Sequence, residues 1–142
     1  QDPGNMGTII RTADAAGFSG VIVLKGCVDI YNPKVIRSTA GSIFHIPVVE
    51  YRNNALCLQE LCKRNIKIIS TTMSSDRMIY DVDISGNSAI LIGNEATGIS
   101  KELLNAAEIN VRIPMPGSAE SLNASVAAGI LIYESVRQRK SN

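Results

Sequence analysis

The sequence predicts an α/β fold, a mostly parallel sheet flanked by helices, and three observations carry that expectation. Short apolar runs with β-branched content recur at Val21-Ile22-Val23-Leu24, Ile66-Lys67-Ile68-Ile69 and Ala89-Ile90-Leu91-Ile92. They lack the apolar–polar alternation of a half-solvated strand, as strands do when both faces are covered in a parallel sheet. Segments of helical period separate them, and helix alternating with strand is the α/β signature. The chain has 142 residues, which suits one domain over 1–142.

Each element has its own local reason. In the first helix Ile9, Ile10, Ala13 and Ala16 share a face, and Gly17 ends it as a left-handed cap. Asn32-Pro33 reads as N-cap and first residue of a second helix running towards Gly41. Pro47-Val48-Val49-Glu50 and Ile109-Asn110-Val111-Arg112-Ile113 are weaker strand signals. Leu56, Leu58, Leu61 and Cys62 mark a third helix closed by Asn65, and Ser100 caps a fourth. The fifth runs from about Ser121 to Arg139, with Arg137, Arg139 and Lys140 at the end its dipole favours.

Composition narrows the function classes. Fourteen Lys and Arg face thirteen Asp and Glu. They are spread evenly: residues 1–25 hold two of each sign, 26–60 three, 61–100 four, and 101–142 five positive against four negative. No basic block announces nucleic acid by electrostatics alone, so an anionic partner needs individually placed groups. No apolar run approaches the roughly 18 residues of a membrane span. The opening Gln1-Asp2-Pro3 carries no leader pattern and reads as part of a longer protein. Cys27, Cys57 and Cys62 have no CxxC spacing and read as buried or half-buried thiols of a reducing cytoplasm. His45, the single histidine, reads as packed or hydrogen-bonded rather than as a metal ligand, so no metal is expected.

Sites in open parallel sheets collect beyond the carboxyl ends of strands. Three loops rich in Gly, Pro, Asn and Ser are candidates: Asp2 to Gly7, leading into a helix that presents Arg11; Gly93 to Ser100; and Pro114 to Ser125. Neither GxxxxGK[ST] nor a GxGxxG after a strand is present. Turn chemistry alone explains any one of these loops. It leaves Asn5, Arg11, Glu95, Ser121 and Asn123 unexplained, since no turn requires them.

The three loops resemble the three motifs of the SpoU-type RNA 2′-O-ribose methyltransferases of the SPOUT class. Asp2-Pro3-Gly4-Asn5-Met6-Gly7-Thr8-Ile9-Ile10-Arg11-Thr12-Ala13 is similar to the first. Leu91-Ile92-Gly93-Asn94-Glu95-Ala96-Thr97-Gly98-Ile99-Ser100 is similar to the second. Ile113-Pro114-Met115 through Ser121-Leu122-Asn123-Ala124-Ser125 to Tyr133-Glu134 is similar to the third. The resemblance implies S-adenosylmethionine as cofactor, a C-terminal trefoil knot, a homodimer with the site near its interface, and ribosomal or transfer RNA as substrate. It implies cofactor contacts at Gly93, Ile113, Met115 and Leu122, and a catalytic set of Asn5, Arg11, Glu95, Ser121 and Asn123. Two departures from the family pattern are a missing strand before the first motif and a missing N-terminal RNA-binding domain.

The residue types suit the chemistry. Methyl transfer from a sulfonium to a ribose hydroxyl is an in-line displacement in which positioning matters greatly. Arginine does not deprotonate in ordinary protein settings, so Arg11 reads as a clamp on phosphate or hydroxyl at least as readily as a base. Its plainer reading is an ion pair with Asp14. Two other functions stand beside the enzyme: an inactive cofactor- or RNA-binding module of the same fold, and a small-molecule α/β enzyme for a phosphorylated substrate.

Overall fold

The computed structural model describes residues 2–94 and 97–141. Contacts divide the chain into two compact units, residues 1–57 and 58–142. The first holds α1 (Pro3–Ala15), β1 (Val21–Leu24), α2 (Pro33–Ser38), a one-turn 3-10 helix (Ser42–Phe44) and β2 (Val48–Tyr51). Helix α3 (Asn54–Lys63) contains the boundary. The second unit holds β3 (Lys67–Thr71), a one-turn helix (Ile79–Asp81), β4 (Ser88–Leu91), α4 (Lys101–Ala106), β5 (Ile109–Val111) and α5 (Ala124–Ser141).

In the first unit β1 and β2 pair in parallel, Val21 beside Val48 through Leu24 beside Tyr51. Helix α1 starts at Pro3 because the Asp2 carboxylate accepts the Asn5 N–H at 3.0 Å, and a first-turn proline has no needed N–H to lose. Gly7 sets how closely α1 lies on α2. A Cβ there would stand 2.4 Å from the Ser38 Cβ and 2.6 Å from the Val35 carbonyl oxygen. Gly17 ends the α1 segment with φ +71°, as expected. Helix α2 is capped by Asn32 but stops at Ser38 instead of reaching Gly41. Ala40 (φ 48°) and Gly41 (φ 93°) are both left-handed, which breaks a right-handed helix and opens the 3-10 turn.

In the second unit the strand order is β4-β3-β5, all parallel, and Ile69 of the central strand lies beside Ile90 and Ile109. Ile69, Ile79, Ile84, Val111 and Leu131 form its fully buried core. Each such side chain contributes about 1.5–3 kcal/mol by leaving water. Helix α5 begins at Ala124, three residues later than Ser121, because Asn123 takes the capping position: its Oδ1 accepts the N–H groups of Ser125 (2.9 Å) and Val126 (3.3 Å). Further along, α5 side chains grip an extended segment. Gln138 accepts the Ile84 N–H (2.8 Å) and donates to the Val82 carbonyl (3.0 Å), and Arg139 donates to the Ser85 carbonyl (3.3 Å). The buried Glu134 carboxylate takes two 2.8 Å bonds from Arg137 and one from Gln138.

One expectation from the sequence needs correcting. Cys57 is buried, but Cys27 and Cys62 are exposed, Cys27 in the turn after β1 and Cys62 on the outer side of α3. His45 is hydrogen-bonded, as expected, to Asp14 at 3.4 Å, with its side chain exposed. Among the described residues no helix is long and apolar enough to cross a membrane, and no cluster of three metal-ligating side chains occurs.

Candidate active site

Because β3, β4 and β5 are parallel, the loops that follow them leave one edge of the sheet. Neighbouring strands lie about 4.8 Å apart, so the loops after β4 and β5 start roughly 10 Å apart with the loop after β3 between them. Ligands of open parallel sheets bind in such a place, outside the carboxyl ends where strand order reverses.

The loop after β4 closes on itself. Asn94 and Gly98 exchange backbone hydrogen bonds of 3.0 and 2.8 Å, and the Asn94 Oδ1 accepts the Thr97 N–H at 3.3 Å. Gly98 takes φ +67°. A Cβ on Gly93 would lie 2.8 Å from the Gly98 carbonyl carbon and 3.0 Å from the Ile99 nitrogen. Glycine is thus required at 93 by the loop's own closure, a reason other than the cofactor approach that the sequence suggests. Glu95 lies outside the described residues.

The loop after β5 is held only at its ends. At its start the peptide joining Val111 and Arg112 is gripped from both sides. The Val111 carbonyl accepts the Thr72 N–H (2.9 Å), while the Arg112 N–H donates to the Arg77 carbonyl (2.8 Å). The two groups of a trans peptide point in opposite directions, so residues 72–77 pass from one side of the chain at 111–112 to the other. At its far end stands the Asn123 cap. Between them, residues 113–122 make no hydrogen bond among the described residues. Ile113 and Met115 are half-buried, Ile113 against the core, while Ser121, Leu122 and Asn123 are exposed.

The first unit carries Asn5 and Arg11 on α1. Six residues apart, they stand about 9 Å apart along the axis and about 120° apart around it. Asn5 is half-buried; Arg11 is exposed, and among the described residues it makes no ion pair. The ion pair with Asp14 suggested by the sequence is replaced by the Asp14–His45 contact. The second unit therefore gathers Gly93, Ile113, Met115, Leu122, Ser121 and Asn123 on two loops of one sheet edge. The sequence reading missed the third loop of that edge, Thr72 to Met78, although its run Thr71-Thr72-Met73-Ser74-Ser75 after an apolar strand is a loop signal. A polar cleft there is lined by Thr72, Ser74, Ser75, Asp76, Arg77, Glu108 and Asn110, and by none of the expected site residues.

Comparison with known proteins adds the family. A family model described as SpoU rRNA Methylase family matches residues 1–133. The 23S rRNA (guanosine(2553)-2′-O)-methyltransferase RlmP of Bacillus subtilis is 44% identical over 94% of this chain and 53% of its own length. The 23S rRNA (uridine(2479)-2′-O)-methyltransferase of Streptomyces viridochromogenes is 40% identical over 98% of this chain and 50% of its own length. The solved structure of the SpoU methyltransferase AviRb from Streptomyces viridochromogenes in complex with AdoMet superposes with a TM-score of 0.95 at 39% identity. That match covers 100% of this chain and 58% of that one. The chain spans about half the length of the curated relatives it matches. By sequence and by fold, this chain belongs to the SpoU rRNA methylase family.

Proposed function

We propose that this chain is the catalytic part of an enzyme that transfers a methyl group from S-adenosylmethionine to a ribose 2′-hydroxyl of ribosomal or transfer RNA. The observation that carries this reading is the loop 113–122, without hydrogen bonds among the described residues, on the same sheet edge as the Asn94–Gly98 closure. An adenosine-bearing cofactor is held largely by apolar walls and backbone donors and acceptors. Ile113, Met115 and Leu122 supply such walls, and the unbonded backbone supplies such groups, so the residues present fit it. Bound there, the cofactor supplies an activated methyl on a sulfonium centre.

The chain's own residues supply position. Asn123 commits its Oδ1 to the α5 cap, so any ligand contact through this side chain is made as a donor. The exposed Arg11 guanidinium stays charged and suits a phosphate or the reacting hydroxyl. Ser121 adds a hydroxyl at the loop's end, and Asn5 and Glu95 complete the polar set that the motifs imply.

The trefoil knot belongs to the same proposal. Residues 72–77 arch across the chain at 111–112, and passage of the following loop under that arch is what a threaded topology requires. The homodimer does too. Val126 and Tyr133, one heptad apart on α5, are 51% and 52% exposed, an apolar face suited to a second copy. Arg11 of one chain would then serve the pocket of the other. Mixing inactive Arg11→Ala and Asn123→Ala chains of the whole protein restores one intact site per mixed dimer if so, and none if each chain serves itself. Exposed free thiols suit the reducing cytoplasm where these RNAs reside.

Calorimetry with S-adenosylmethionine, followed by 2′-O-methyl mapping of RNA from cells lacking the protein, tests the reading. Absence of cofactor binding overturns it. Binding without any lost methyl mark selects the inactive module instead.

A further inference from the structure

Two rings stand out as unburied: Phe44 is 84% exposed and Tyr31 70%, more than any other large apolar side chain among the described residues. Both belong to the first unit and flank α2, which presents Lys34 and Arg37 one turn apart on its exposed side. Neither cation forms an ion pair among the described residues. The order along the chain is ring, cation, cation, ring.

Phe44 is presented by a rigid device. Ala40 and Gly41 are successive left-handed residues, a conformation that alanine rarely adopts. Buried Thr39 and Ser42 fix the turn: the Thr39 hydroxyl donates to the Ile36 carbonyl (2.7 Å), and the N–H groups of His45 and Ile46 donate to the Ser42 carbonyl. Strained backbone held this firmly clusters at functional positions. The turn that carries the ring packs against α1, the helix that presents Arg11. Arg11 and Asp14 share a face of α1, Asp14 touches His45 at 3.4 Å, and Phe44 adjoins His45.

We infer that α2 and the turn behind it form a stacking platform for single-stranded RNA, with bases on Phe44 and Tyr31 and phosphates at Lys34 and Arg37. This rests on the reading of RNA as substrate, and it adds a face that receives unpaired nucleotides. Splayed bases on aromatic rings are the usual mode of single-strand recognition, and losing one ring weakens binding roughly five- to hundred-fold.

The test uses the whole protein and a single-stranded oligoribonucleotide carrying 2-aminopurine, whose fluorescence is quenched by stacking. Phe44→Leu is expected to abolish quenching and raise the dissociation constant by that factor, whereas Phe44→Trp retains both. Arg37→Gln is expected to flatten the log–log salt dependence by about 0.7. Affinity for S-adenosylmethionine, measured by calorimetry, stays unchanged in all three. Undiminished quenching in Phe44→Leu overturns the platform. So does a fall in oligomeric mass with RNA affinity intact, which assigns the ring to a protein contact. Loss of cofactor binding in the unaltered protein, with quenching present, overturns the catalytic reading and leaves the platform standing.

Discussion

The loops after β4 and β5 leave the same edge of one sheet and are held in opposite ways. Gly93 and Asn94 are tied to residues 97–99 by backbone, through the Asn94–Gly98 exchange and a Gly93 with no room for a Cβ. Residues 113–122 have no internal bond and are fixed only by the grip at Arg112 and the cap at Asn123. The contrast separates two tasks. A wall that must keep its shape is built by local closure, and a cradle that must offer its backbone to a ligand is built by leaving that backbone unspent.

The sharpest way to break the contrast is Gly93→Val. The added carbons meet backbone at 98 and 99 as well as the Ile99 side chain, and the backbone cannot yield without opening the closure. We expect about 1–3 kcal/mol of lost stability in denaturant titration, together with at least a tenfold loss of cofactor affinity; unchanged values in both would show the closure to be dispensable. Asn123→Ala comes next, removing the anchor of the open loop. Loss of the cap should lower stability by about 1 kcal/mol. Asn123→Ser keeps a capping oxygen but gives up the amide donors, so recovery of stability without recovery of activity would identify a ligand contact.

A third measurement reads the contrast directly. Hydrogen exchange should show the 94 and 98 amides protected before ligand is added, and the 113–122 amides protected only with S-adenosylmethionine present; equal protection without ligand would contradict the open cradle. The smallest effect concerns the helix behind that cradle. Bonds from Arg137 foremost, and from Gln138, hold the Glu134 carboxyl below its ordinary 4.5, against the opposing push of burial. A lowered folded value means that this stabilisation is complete above about pH 4.5 and is lost as pH falls through the folded value. Glu134→Gln should therefore flatten the acid limb of stability against pH, lowering stability modestly at pH 7 and leaving it little changed in strong acid, where Glu134 is itself protonated.

Much of the fold was legible because its signals are local. Asn32, Ser100 and Gly17 act where a cap or a stop should. The uninterrupted apolar runs became parallel strands displaced by at most one or two residues. What stayed hidden depends on contacts between distant residues. Nothing near Gly7 in sequence reveals that Val35 and Ser38 will press against it, and nothing near Asn123 tells a cap from a catalytic amide. The arch of residues 72–77 over residue 112 has no local signature either, so the middle loop of the site edge went unread. Residue types alone nominated the polar set; the family motifs were needed to give its members roles.

The grip of α5 on residues 82–85 has a consequence for the order in which the protein is made. Val82, Ile84 and Ser85 find their hydrogen-bond partners in Gln138 and Arg139, more than fifty positions later. A ribosome adds residues at about 5–20 per second, so this stretch waits several seconds for its partners. The first unit has no such debt, since α1, α2 and both its strands precede residue 58. Nascent chains stalled before Glu134 should thus resist protease through Tyr51 while being cut between 82 and 85, with α5 acting as the latch that closes on this segment.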